Sequence, residues 1–244
     1  MSNTSKSVAS THKKSISIDS SRTDTFPILI RNVYTWMSLA LAITGISAFL
    51  VYNNQELNQL IVENDYITLG LLVAEFAIAI VLSVQLKKMT FNTAATLFGV
   101  YALLTGITLS FIFMIYTAAS IASTFFITAG TFASMSLIGY YTNKDLTKLG
   151  QFLIMALIGM VIASIVNLFM RSDMMTWITT YIGILIFVGL TAYDTQKIKK
   201  ELMANGSYGI NDNTMKIALF GSFILYLDFI NLFLKILRVL GKRK

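Results

Sequence analysis

Three acidic residues stand in stretches that are otherwise apolar, and chemistry is expected from them first. Asp228 lies in Leu225-Tyr226-Leu227-Asp228-Phe229-Ile230-Asn231, Asp194 in Gly189-Leu190-Thr191-Ala192-Tyr193-Asp194-Thr195-Gln196-Lys197, and Glu75 in Leu72-Val73-Ala74-Glu75-Phe76. An aspartate at the middle of a membrane helix costs about 2.5–3.5 kcal/mol on insertion scales, so such a residue faces the protein interior and takes a partner. Each acid has a structural alternative. Asp228 can be protonated, hydrogen-bonded glue; Asp194 can be an interfacial partner of Lys197 or Lys199; Glu75 can pair with a serine or threonine of the next helix. Asp194 and Asp228 together suggest more, because they sit on consecutive helices whose facing sides can meet. If the helix of Asp194 continues past it, both acids reach a similar depth. Two carboxylates sharing one site cannot both ionise cheaply, so the pair titrates as a unit and becomes a proton sensor. The functional alternative for Glu75 is to line a cation path.

Other chemistries are excluded or disfavoured. With no cysteine there is no disulfide framework, thiolate metal site or cysteine nucleophile. The one histidine, His12, lies in a polar tail, away from any partner for a catalytic triad. No phosphate-binding loop, nucleophile elbow or dinucleotide fingerprint occurs, so no enzyme and no bound cofactor are expected. The net charge of +7 points to lysine and arginine holding loops on one side of a membrane. Nucleic acid is not expected as a partner, since no basic patch is interleaved with stacking aromatics outside the apolar stretches.

The elements that must position these acids are membrane helices. Of the 244 residues, 55% are hydrophobic and 13% charged, whereas soluble domains carry roughly 25% charged residues. Residues 1–26 read as a disordered polar cytoplasmic tail, and residues 27–244 as a single transmembrane helical domain. Six stretches are long enough to cross about 30 Å of hydrocarbon: Asn32–Tyr52, Tyr66–Leu86, Ala95–Ile115, Thr117–Tyr141, Gly150–Phe169 and Thr176–Tyr193. A seventh, Met215–Leu237, carries Asp228 near its middle.

Lysine and arginine set the orientation. Lys6, Lys13, Lys14, Arg22 and Arg31 precede the first stretch, and Lys87–Lys88, Lys144–Lys148 and Lys197–Lys200 follow the second, fourth and sixth. The alternate connections carry Glu56, Glu63 and Asp65, then Arg171 with Asp173. The N-terminus is therefore expected in the cytoplasm. Arg238, Lys242, Arg243 and Lys244 break the pattern if the seventh stretch crosses; re-entry would restore it, but the apolar length favours crossing. Gly106 with Ser110, and Gly159 with Ala163, have the spacing of small residues at which helices approach closely.

The segments around Asp194 and Asp228, with Leu104-Thr105-Gly106-Ile107-Thr108-Leu109-Ser110 and the stretch Thr131–Gly150, resemble signature segments of the Bax inhibitor-1 family, in its bacterial inner-membrane branch. The resemblance implies an all-α integral membrane fold of seven transmembrane helices, the last one central and wrapped by the other six. It further implies a pH-sensitive calcium leak controlled by two aspartates, here Asp194 and Asp228, with Glu75 matching the acid of the second helix. Some members carry an arginine latch at the end of that helix; here the region reads Val84-Gln85-Leu86-Lys87-Lys88, so Lys87 would have to serve without the bidentate fork of arginine. Calcium takes six to eight oxygen ligands, so two or three carboxylates with hydroxyls and water would bind it weakly at Asp194 and Asp228. The expected partners are the lipid bilayer, Ca²⁺ and protons. The rival expectation is a non-conducting regulator that binds other membrane proteins, such as a protease or a secretion complex.

Overall fold

The structure, a computed structural model, describes residues 3–205 and 209–244, and says nothing of the side chains of residues 3–24, Val62, Glu63 and Lys87. The chain forms α1 (Asn3–Asn53), α2 (Gln55–Glu63), α3 (Asp65–Gln85), α4 (Phe91–Leu109), α5 (Ile112–Ile115), α6 (Ala118–Tyr141), α7 (Thr147–Met170), α8 (Asp173–Asn205) and α9 (Asp212–Leu240). A 3-10 turn, Leu86–Lys88, follows α3. Seven helical segments are long and apolar enough to cross a membrane, beginning with Thr25–Asn53 of α1. The tail read at residues 1–26 falls almost wholly on side chains outside the described ones.

Polar side chains mark where helices start. Thr90 accepts the Thr93 amide at α4, Thr117 the Ser120 amide at α6, and Asn64 the Tyr66 amide at α3. Asn211 and Thr214 form a reciprocal capping box at α9. Such side chains satisfy amides that have no intrahelical acceptor.

The last helix is the core. Of the most apolar stretch of α9, 61% of residues are buried, against 6% in α3 and 11% in α7. α1, α4, α6 and α8 pack along it, while α3 leans on α4 and α7 on α8. The wrapping is thus shared unevenly: α7 joins α9 through Leu153 and Met160, which cluster with Leu232 and Ile236. On the α4 side, Phe98 and Tyr101 meet Phe223 and Tyr226 edge to face at 5.2–6.0 Å, an arrangement that suits ring quadrupoles.

The seventh helix runs the full length of the bundle, as a complete crossing requires. At its start, Lys216 Nζ donates to the Met89 carbonyl (3.1 Å), and Asp212 Oδ1 accepts the Phe91 amide (3.1 Å). Its far end docks at the α5–α6 junction: the Thr117 amide donates to the Lys242 carbonyl (3.1 Å), and the Lys244 amide to that of Ile115 (3.0 Å). Lys244 Nζ also donates to the Phe113 carbonyl and to Tyr52 Oη. The end of the chain therefore lies opposite the lysine-rich connections, with the Lys244 ammonium held by the Phe113 carbonyl and the Tyr52 ring.

Of the two small-residue pairs, one behaves as expected. A Cβ on Gly106 would meet Ser47 Oγ at 1.8 Å and the Thr44 carbonyl oxygen at 2.4 Å, so α1 and α4 touch there. Gly159 is exposed and a Cβ there would meet nothing within 4 Å, so it makes no close approach. The spacing is the same; what differs is that Gly159 faces away from the bundle.

Candidate functional site

The two aspartates meet. Asp194 on α8 and Asp228 on α9 are close enough for their carboxyl groups to act on each other. α8 continues without a break past Asp194 to Asn205, which keeps the Asp194 carboxyl on a rigid helical backbone beside α9. Asp228 is buried, 5% exposed, and its Oδ2 has no hydrogen-bond partner. Asp194 is half-buried, and the charges of Lys197 and Glu201, on the same helix, also act on it.

Beside the pair runs a chain of hydroxyls. Thr195 Oγ1 and Ser136 Oγ lie 3.0 Å apart, and Ser136 Oγ lies 2.5 Å from Tyr34 Oη. Tyr34 and Ser136 line a crevice of about 600 Å³ between α1 and α6, floored by Phe229 next to Asp228. The approach of α6 to α8 that makes this chain possible is set by Gly139, where a Cβ would meet the Ala192 carbonyl oxygen at 2.1 Å.

Glu75 sits elsewhere. It accepts a hydrogen bond from Thr108 of α4, the pairing with the next helix that its position allowed. Close by are Thr105, whose buried hydroxyl lies among Glu75, Tyr101 and Tyr226, and the two tyrosines themselves. Tyr226 Oη lies 2.8 Å from Thr44 Oγ1 of α1, and Thr44 also donates to the Ala102 carbonyl. Tyr226 and Asp228 are two residues apart, so they point to faces of α9 roughly 200° apart. The central helix thus separates two polar clusters, Asp194–Asp228 toward α8 and Glu75–Tyr226 toward α4.

The Lys87 side chain, the expected latch, lies outside the described residues. Lys216, which sequence reasoning did not single out, occupies the neighbourhood: it is buried, pairs with Asp212 at 3.0 Å, and pins the start of α9 to the turn after α3. On the same end, α8 beyond Asp194 clamps the α6–α7 connection. Gln196 accepts the Leu146 amide and donates to the Lys144 carbonyl, and Lys200 pairs with Asp145 at 2.6 Å. The Lys200 ammonium and the hydrogen bonds from Thr147 hold the Asp145 carboxyl down to about 2. Gln196 and Lys200 lie in or next to the segment around Asp194, but nothing in their local pattern distinguishes a loop clamp from a solvated helix end.

Among the described residues no group of three or more carboxylate, histidine or cysteine side chains gathers around one point. A divalent cation at Asp194 and Asp228 would therefore have two carboxyl groups and would take its remaining oxygens from water, hydroxyls and carbonyls, an arrangement for weak binding.

A sequence model of the family described as inhibitor of apoptosis-promoting Bax1 matches residues 27–244. The chain is 47% identical over 212 residues to the inner membrane protein YbhL of Escherichia coli, covering 87% of this chain and 90% of that protein. It is 45% identical over 223 residues to an uncharacterized protein of Borreliella burgdorferi, covering 89% and 95% of the two chains. An uncharacterized protein of Rickettsia prowazekii is 43% identical over 212 residues, 87% of this chain and 88% of its own.

Proposed function

This chain belongs to the Bax inhibitor-1 family, and from that premise we propose that it is a pH-sensitive Ca²⁺ leak gated by Asp194 and Asp228. The observation that carries this reading is the meeting of the half-buried Asp194 with the buried Asp228 across α8 and α9, with one Asp228 oxygen left unpartnered. In the closed state a proton shared between the carboxyls joins the two helices. When it leaves, two negative charges repel in a medium of low dielectric constant, where repulsion is far stronger than in water. They separate the helices and attract a cation in the same step. The Tyr34–Ser136–Thr195 hydroxyls supply oxygen ligands and a route for the proton toward the crevice.

The test uses purified protein in calcium-loaded liposomes with no other protein present. Flux that rises with pH supports the leak. No flux at any pH overturns it and favours a non-conducting regulator that acts through other membrane proteins.

Glu75 is assigned to the cation path in the same reading. Glu75→Gln should lower calcium flux severalfold while leaving the yield of folded protein and the pH midpoint unchanged. Parallel loss of flux and folded protein would assign Glu75 to structure alone, through its bond to Thr108.

We place the chain in the inner membrane with its N-terminus in the cytoplasm, as the lysine-rich connections and the relative's name suggest. Because α9 crosses, the C-terminus then faces outward. Reporter fusions should mark Lys144–Lys148 as cytoplasmic and Lys244 as external; the opposite result at the Lys144 connection reverses the orientation.

A further inference from the structure

At the end of the bundle opposite the lysine-rich connections, α7, α8 and α9 close around a polar pocket of about 550 Å³. Three cations from two separate stretches of chain line it, Arg171 just after α7 with Lys235 and Arg238 of α9, and Asp173 is the one carboxylate among the lining residues. Among the described residues, none of the three cations has a carboxylate within salt-bridge distance. The ion pairs among the described residues, Lys200–Asp145 and Lys216–Asp212, both lie at the other end of the bundle.

The pocket is built rather than incidental. Lys235 is half-buried, and its stem lies where a side chain on α8 would otherwise stand: a Cβ on Gly183 would come within 3.0 Å of Lys235 Cε. Arg171 has φ 50°, the one positive φ at a non-glycine residue among those described. That conformation is uncommon for a residue with a Cβ; here it is the left-handed cap that ends α7. The turn that imposes it is tightly bonded: the Arg171 amide donates to the Asn167 carbonyl (2.8 Å), the Ser172 amide to Asn167 Oδ1 (3.0 Å), and Asn167 Nδ2 to Thr176 Oγ1 (2.8 Å).

From this geometry we propose that the pocket binds a phosphate-class anion. Convergent, unpaired cations are the usual complement of a tetrahedral oxyanion, and arginine forks match its oxygens two at a time. The half-buried Lys235 supplies a point charge, and Thr176 is among the residues that line the pocket. The pocket sits at the ends of membrane-crossing helices, the level at which phospholipid headgroups lie. The anion's source is thus either a lipid phosphodiester or phosphate from solution.

The experiment uses the full chain in detergent. Native mass spectrometry measures retention of phosphatidylglycerol against phosphatidylcholine, and thermal melting at constant ionic strength measures the response to inorganic phosphate. Wild-type protein should retain phosphatidylglycerol preferentially if the source is lipid, or melt at higher temperature with phosphate if it is soluble. In either case Lys235→Gln with Arg238→Gln should weaken binding on the order of tenfold or more, since each lost charge-assisted bond is worth about a factor of ten. Lys235→Arg should restore most of it. Arg171→Gly guards against a folding artefact: glycine adopts φ 50° without strain, so this variant should fold at least as well and bind more weakly. Equal retention of the two lipids with no response to phosphate overturns the proposal. So does full binding by folded Arg171→Gly and Lys235→Gln/Arg238→Gln proteins.

Discussion

Asparagine at Asp194 or at Asp228 should flatten the pH dependence of calcium flux in liposomes, and the double variant should flatten it no further. Asparagine removes one charge and keeps a hydrogen-bonding group of nearly the same size, so the α8–α9 contact survives while the shared proton is lost. In the wild-type pair, raising the pH removes that proton and leaves two charges, so flux should rise with pH through the titration of the pair. In either single variant only one carboxyl remains, the mutual repulsion is gone, and flux should change little across the same range. Residues that act as one unit give strongly non-additive cycles, so the double variant should match the singles. Additive losses, or a pH response that survives in the double variant, would place the sensor elsewhere. Asp145→Asn is the control. Its carboxyl is held down to about 2 by Lys200 and Thr147, so the ion pair is present above the ordinary carboxylate range and fades only as pH falls toward that value. Removing it should leave the flux midpoint where it was.

Alanine at Gly139 should uncouple gating from the bundle. Its Cβ would meet the Ala192 backbone, with the carbonyl oxygen at 2.1 Å and the carbonyl carbon at 2.8 Å. Backbone cannot rotate away as a side chain can, so α6 has to move off α8. Overpacking of this kind costs about 1–3 kcal/mol. Ser136 is one turn from Gly139, and Thr195 one turn from Ala192, so the same displacement breaks the 3.0 Å Ser136–Thr195 contact beside the aspartates. The expected result is a lower melting temperature together with a shifted pH response. Gly130→Ala on the same helix meets nothing within 4 Å and should leave both unchanged or slightly improve stability through helix propensity. Equal behaviour of the two variants would show that the close approach of α6 to α8 is not needed.

The seven crossings were legible in the sequence because crossing is a local property: a run of about twenty apolar residues has no other stable place. Their ends were less legible. α8 runs on to Asn205 and α9 to Leu240, beyond the apolar stretches, because helix backbone satisfies itself in water as well as in lipid and polar residues can continue it. The acids of Asp194 and Asp228 were visible for a similar local reason, since charge amid hydrocarbon stands out in a single stretch. Their pairing was suggested by adjacency of the two helices, but Glu75 shows why adjacency is not enough: the rotation of α9 about its axis sends Asp228 to α8 and Tyr226 to the Glu75 cluster. That rotation is decided by packing, by Phe223 and Tyr226 against α4 and by Phe229 against α6. Likewise Gly106 and Gly159 share one spacing, and only the facing of each helix makes the first a contact and leaves the second in the open. Arg171, Lys235 and Arg238 read along the chain as ordinary cations near helix ends. The sequence by itself determined which segments enter the membrane and which charges enter with them; the tertiary structure alone decided which of those charges meet, because facing depends on the sum of contacts around α9 and not on any one segment's composition.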